Sequence, residues 1–197
     1  MSAALAALPA EVAGACVVDA FDRTDAAALA AVGADAALDH HLPSFLDPPS
    51  PVFAGIVTRR DATGETPAGM RRLKAAFHTF VPLAAPLPAD AVGLFAFVRR
   101  KPGMTLEAFR RHSLTVHGPM DARMPGLLGY VQCHADDADA AGFDCVSVFR
   151  FADLAALQAA LAAPGSAASA ADLDAFVDLS SAVVLATRPA AGRALLF

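Results

Sequence analysis

The stretch Val92-Gly93-Leu94-Phe95-Ala96-Phe97-Val98-Arg99-Arg100-Lys101-Pro102-Gly103 decides the fold. A β-branched and aromatic run ends abruptly at three cations and a Pro-Gly pair, the pattern of a strand entering a turn. Thr105 then supplies an N-cap hydroxyl, with Glu107 favouring the positive end of the helix dipole. The spacing predicts a helix over Leu106–His117, stopped by Gly118-Pro119.

Downstream, Leu127–His134 and Asp144–Phe151 read as strands joined by the acidic loop Ala135–Gly142. Asp153–Ala163 reads as a helix ending at Pro164-Gly165, Ala171–Phe176 as a further turn, and Ser181–Thr187 as a last strand. The order is β-α-β-β-α-β, the ferredoxin-like plan of an α+β fold. Upstream, three prolines in Val81–Pro88 suit neither a helix nor a central strand. They divide the chain into halves 1–88 and 89–190. In the first half, Cys16–Phe21, Val52–Arg59 and Leu73–Val81 read as strands and Asp25–Leu38 as an alanine-rich helix. That half is either a degenerate ferredoxin-like copy or an accessory segment.

The 197 residues are 56% apolar and 18% charged, enough to bury a core and to exclude disorder as the dominant state. Lys+Arg 15 against Asp+Glu 20 leaves a net charge of −5, which argues against nucleic acid as a partner. No apolar window approaches the ~20 residues of a membrane span, and no signal peptide is evident. Cys16, Cys133 and Cys145 fall in apolar strand-like runs, as buried free thiols of a cytoplasmic protein do. Neither CxxC nor HExxH is present, and no phosphate-binding glycine motif occurs, so neither a metal nor an organic cofactor is signalled. His40-His41 read as a solvated loop or helix end, His78 as a half-buried strand position, and Arg99-Arg100-Lys101 as a solvated turn.

With Leu106 at zero on the helix, Phe109 falls at about −60°, Ser113 at about −20°, Val116 at about −80° and His117 at about +20°. His112 sits at the edge of that arc, so His117 is expected to face the sheet. On the next strand Tyr130, Gln132 and His134 share one face, while Val131 and Cys133 share the other. That polar triplet lines either a cleft or a solvated face.

The run Phe97-Val98-Arg99-Arg100-Lys101-Pro102-Gly103-Met104-Thr105-Leu106-Glu107-Ala108-Phe109-Arg110-Arg111-His112, followed by Val116-His117-Gly118-Pro119 and by Met124-Pro125-Gly126-Leu127…Tyr130, resembles the EthD family over about residues 92–188. The resemblance implies a dimeric α+β barrel with a small-molecule pocket between sheet and helices. It closes either as a homodimer or as a pseudo-dimer within one chain. It implies His117 and Tyr130 as residues acting on substrate; the family's tryptophan after the helix histidine is Ser113 here. A histidine with a pKa near 6.5 takes a proton from a carbon acid, and a phenol near 10 donates to an enolate oxygen. The expected activity is cofactor-independent isomerisation, lysis or cyclisation of a small carbonyl compound. His112, Ser113, Gln132 and His134 are the expected ligand-binding residues. A non-catalytic binder of a small hydrophobic ligand and a haem-binding, monooxygenase-like protein are the alternatives.

Overall fold

A computed structural model describes residues 11–21, 36–42, 53–59, 70–83, 86–136 and 142–190. Eight strands form it: β1 Glu11–Phe21, β2 Ala36–His41, β3 Gly55–Arg59, β4 Met70–Val81, β5 Val92–Val98, β6 Leu127–Ala135, β7 Cys145–Phe151 and β8 Val183–Pro189. They close into one barrel in the order β1-β3-β2-β8-β5-β7-β6-β4. Every pairing is antiparallel. Within the second half the strands run β8-β5-β7-β6 across the sheet, and within the first half β4-β1-β3-β2, the same order of first to fourth strand. The barrel thus closes within a single chain.

Strand parity divides the interior from the helix face. Val18, Phe77, Phe95, Phe97, Val131, Cys133, Val146 and Leu185 share the buried core inside the barrel. Leu94, Tyr130, Phe149 and Ala186 pack outward against Leu157 and Ala160 of the overlying helices. All three cysteines are buried and free.

Four expectations are corrected. Gly118-Pro119 does not end the first helix. α1 (Leu106–His112) passes into a π-helical turn, Ser113–His117, and then into α2 (Gly118–Asp121). The Gly118 N–H reaches back five residues to the Ser113 carbonyl. Proline has no N–H and its ring collides with the carbonyl four residues back in an α-helix; the wider turn relieves both. It also rotates Val116 off the apolar arc, leaving it 41% exposed, while His117 stays inward at 6%.

Pro164-Gly165 opens α4 (Pro164–Phe176) instead of only ending α3 (Leu154–Ala162), because proline suits a first helical turn. His40 and His41 stand half-buried on β2, held by pairing with β3 and β8, not in a solvated loop. Of the expected helix Asp25–Leu38, residues 25–35 lie outside the described residues and 36–38 belong to β2. No single described helix is long and apolar enough to cross a membrane.

Candidate functional site

The outward face of β6 is covered, not solvated: Tyr130, Gln132 and His134 are each 1% exposed. Tyr130 lies in a stack of three rings, with Phe149 at 4.3 Å on one side and Phe80 at 5.0 Å on the other. Phe80 sits at a bulge between Thr79 and Val81, which re-aims it over the phenol. Its ring also presses on Gly118, where a Cβ would lie 2.2 Å from Phe80 Cζ, so this position requires glycine for close approach.

The π turn and α2 aim three side chains at this face. Ser113 Oγ donates to Gln132 Oε1 at 3.0 Å, and Gln132 Nε2 donates to the Tyr130 hydroxyl at 2.7 Å. The phenol in turn donates to Asp121 Oδ2 at 3.3 Å. Four residues before Asp121, His117 presents Nε2 to the same carboxylate at 3.2 Å and Nδ1 to Asp172 of α4 at 3.0 Å. His112 Nε2 meets the other oxygen of Asp172 at 3.0 Å. Ser169 donates to Asp121 Oδ1, and His134 Nε2 faces Gln132 Oε1 at 3.0 Å.

All six residues expected at the site therefore stand in one hydrogen-bonded network. Asp121, Asp172 and Ser169 belong to it as well. The His117–Asp121 spacing of four residues was a usable signal, hidden by reading Gly118-Pro119 as a stop. Asp172 and Ser169 stand on α4, which the Pro164-Gly165 pair concealed.

Burial acts to lower the His117 pKa, but the hydrogen bonds and charge of Asp121, then of Asp172, outweigh it and hold the imidazole above its ordinary value. Burial, then the Asp121 charge, push Tyr130 well above the usual phenol, so it remains a proton donor. His134 goes the other way: burial, then His78 and Arg110, lower it to about 3, leaving it neutral. Since the Gln132 oxygen can only accept, His134 carries its hydrogen on Nε2. Cys145 Sγ lies 3.9 Å from that nitrogen, with its thiol raised chiefly by burial.

Residues 101–180 match the model of the EthD domain, so the resemblance read over residues 92–188 holds. The fold is similar to an anthrone oxidase-like protein, at 14% identity and TM-score 0.60 over 96% of this chain and 99% of that one. It is also similar to a candidate monooxygenase from Fusobacterium nucleatum subsp. nucleatum ATCC 25586, at 6% identity and TM-score 0.60 over 89% of this chain and 91% of that one. An ethyl tert-butyl ether D (EthD) family protein from Bacillus halodurans C-125 aligns at 21% identity and TM-score 0.43 over 49% of this chain and 95% of that one. No curated protein matches the chain.

Proposed function

We propose that this chain is a cofactor-independent proton-transfer enzyme acting on a small carbonyl compound with an acidic carbon–hydrogen bond. One observation carries the reading: His117 and Tyr130 meet on a single buried carboxylate, Asp121, beneath the helices. Substrate draws the ring of neutral His117 off Asp121, the freed Nε2 takes the proton from carbon, and the electron pair moves onto the carbonyl oxygen. Tyr130, kept protonated by its surroundings, donates a hydrogen bond to that oxygen. Asp121 and Asp172 stabilise the imidazolium that forms. Return of the proton to a different carbon gives an isomer; expulsion of a leaving group gives a lyase.

A second fate of the same carbanion is favoured by the likeness to an anthrone oxidase-like protein. Anthrone and dioxygen together hold the atoms of anthraquinone and water, dioxygen being the species reduced. Both fates start from deprotonation, so one experiment tests both. Anthrone is incubated with the protein in D2O under argon, and deuterium at its methylene carbon is followed by NMR. The wild type should accelerate exchange, His117→Gln should lower the rate by about 10²–10⁴-fold, and Tyr130→Phe should slow it. Exchange no faster than in buffer, or equal in all three proteins, leaves a ligand-binding protein in place of an enzyme.

The repeated strand order supports reading residues 1–88 and 89–190 as two related ferredoxin-like halves of one pseudo-dimeric barrel. Only the second half carries the His117 network, so the chain holds one such site among the described residues.

A further inference from the structure

Three buried nitrogens beyond Gln132 have no hydrogen-bond partner among the described residues: His78 Nδ1, Arg110 Nε and His134 Nδ1. They lie together. His78 on β4 and His134 on β6 project from the outward face of paired strands, where His78 opposes Gln132 and Ala76 opposes His134. Their rings meet edge to face with centroids 5.5 Å apart. Arg110 reaches across from α1, and its Nη2 donates to the Ala135 carbonyl, the residue after His134. That bond anchors the guanidinium and leaves Nε–H unspent. Phe109 closes the side, its ring 6.0 Å from that of His134.

A buried polar atom without a partner is costly, so three side by side call for an occupant that pairs with them. The charge balance says what the occupant is. The groups facing His134 are Arg110 from α1, His78 from β4 and the un-ionised Cys145 from β7, with neutral Gln132 beside them. The cluster thus holds one fixed cation, two neutral imidazoles and no anion among the described residues. The lone pair on His134 Nδ1 can only receive a hydrogen, while Arg110 Nε can only give one. An oxyanion that arrives with a proton satisfies both.

We propose that Arg110, His78 and His134 form a binding site for a small organic carboxylate, taken up together with one proton. One carboxylate oxygen accepts from Arg110 Nε–H. The other shares the incoming proton with an imidazole Nδ1, and no bond of the ligand breaks. This goes beyond the proton-transfer reading and does not depend on it, since no residue of the cluster touches His117, Asp121 or Asp172. In the empty site, burial and Arg110 hold both imidazoles below their ordinary value. The bound carboxylate offsets Arg110, so binding draws in the proton, and affinity tightens about tenfold per pH unit as pH falls towards the acid's own pKa.

Benzoate is the probe, titrated calorimetrically into the full chain in two buffers of different ionisation enthalpy at about pH 6 and pH 7. The expected result is uptake of about one proton per benzoate and about tenfold tighter binding at the lower pH. Arg110→Gln and His78→Gln should each weaken it at least tenfold; His78 is half-buried, so the second variant spares the core. His117→Gln should bind benzoate like the wild type whether or not it abolishes anthrone exchange, which keeps the two proposals separable. No binding, binding without proton uptake, or binding by both cluster variants as tight as by the wild type would mean that water alone fills the cluster, and would overturn the proposal.

Discussion

Replacing Arg150 with Met should unseat the barrel at the junction between its two halves. Arg150 on β7 reaches over β5 and β8 to Asp39 on β2, with Nη1–Oδ1 at 2.5 Å and Nη2–Oδ2 at 2.6 Å. Thr187 on β8 donates to the same carboxylate at 2.9 Å. The two charged side chains are 1% and 0% exposed. Gly93 on β5 leaves the passage open, because a Cβ there would lie 2.2 Å from Arg150 Nη1 and 2.6 Å from Thr187 Oγ1. Removing the guanidinium leaves a buried carboxylate with a hydroxyl for company, which costs about 3–5 kcal/mol. Against a total of about 5–15 kcal/mol that is a large share, and at about 2–4 °C per kcal/mol the Tm should fall by roughly 6–20 °C. Urea and thermal unfolding by circular dichroism measure it. Adding Asp39→Leu should restore most of the loss, since an apolar pair carries no uncompensated charge. A single variant within about 1 kcal/mol of wild type, or a double variant as unstable as the single, would refute the reasoning.

Three further outcomes are expected. The His134 pKa of about 3 in the fold lies below its unfolded value, so its stabilising contribution is complete above about pH 6.5 and declines as pH falls. Between pH 6.5 and 5 the loss should be about 2 kcal/mol, read from urea midpoints at each pH. His117 has the opposite sign: its pKa is raised, so its contribution is present below about pH 6.5 and is lost as pH rises through the folded value. Asp172→Asn should bring its NMR titration back towards the ordinary histidine value. Gly118→Ala should drive Phe80 off Tyr130 and cost about 1–3 kcal/mol. With one tyrosine and no tryptophan in the chain, the tyrosine band of the near-ultraviolet dichroism, at longer wavelength than the phenylalanine bands, reports that displacement from Tyr130.

The second half of the barrel was legible because each strand carries its own stop, and because Thr105 and Asp153 cap helices as their side chains suggest. The inward turn of His117 also followed from helical spacing. What the spacing could not show was the π turn, since the departure answers to Pro119 and to the Phe80 ring packed on Gly118 from another strand. Val116 was misplaced for that reason. The Gly-Pro and Pro-Gly pairs read as ends, whereas one lies within a continuing helix and the other starts a new one, and they hide both aspartates of the His117 network. In the first half, Ala36-Ala37-Leu38-Asp39-His40-His41 has little strand character of its own. It is a strand because β3 and β8 pair with it, and because Asp39 is needed opposite Arg150.

The central claim is that His117 exchanges protons with a carbon acid while Tyr130 holds the oxygen. Its most direct test compares two titrations of the wild type: the rate of deuterium entry into anthrone under argon, and the NMR shift of the His117 imidazole. The resting imidazole is held above its ordinary pKa, so the rate should climb as pH rises through that raised value, with both curves sharing one midpoint. Asp172→Asn should move the two midpoints down together. A rate that ignores pH across the His117 titration, or a kinetic midpoint that stays fixed when the NMR midpoint moves, would contradict the account.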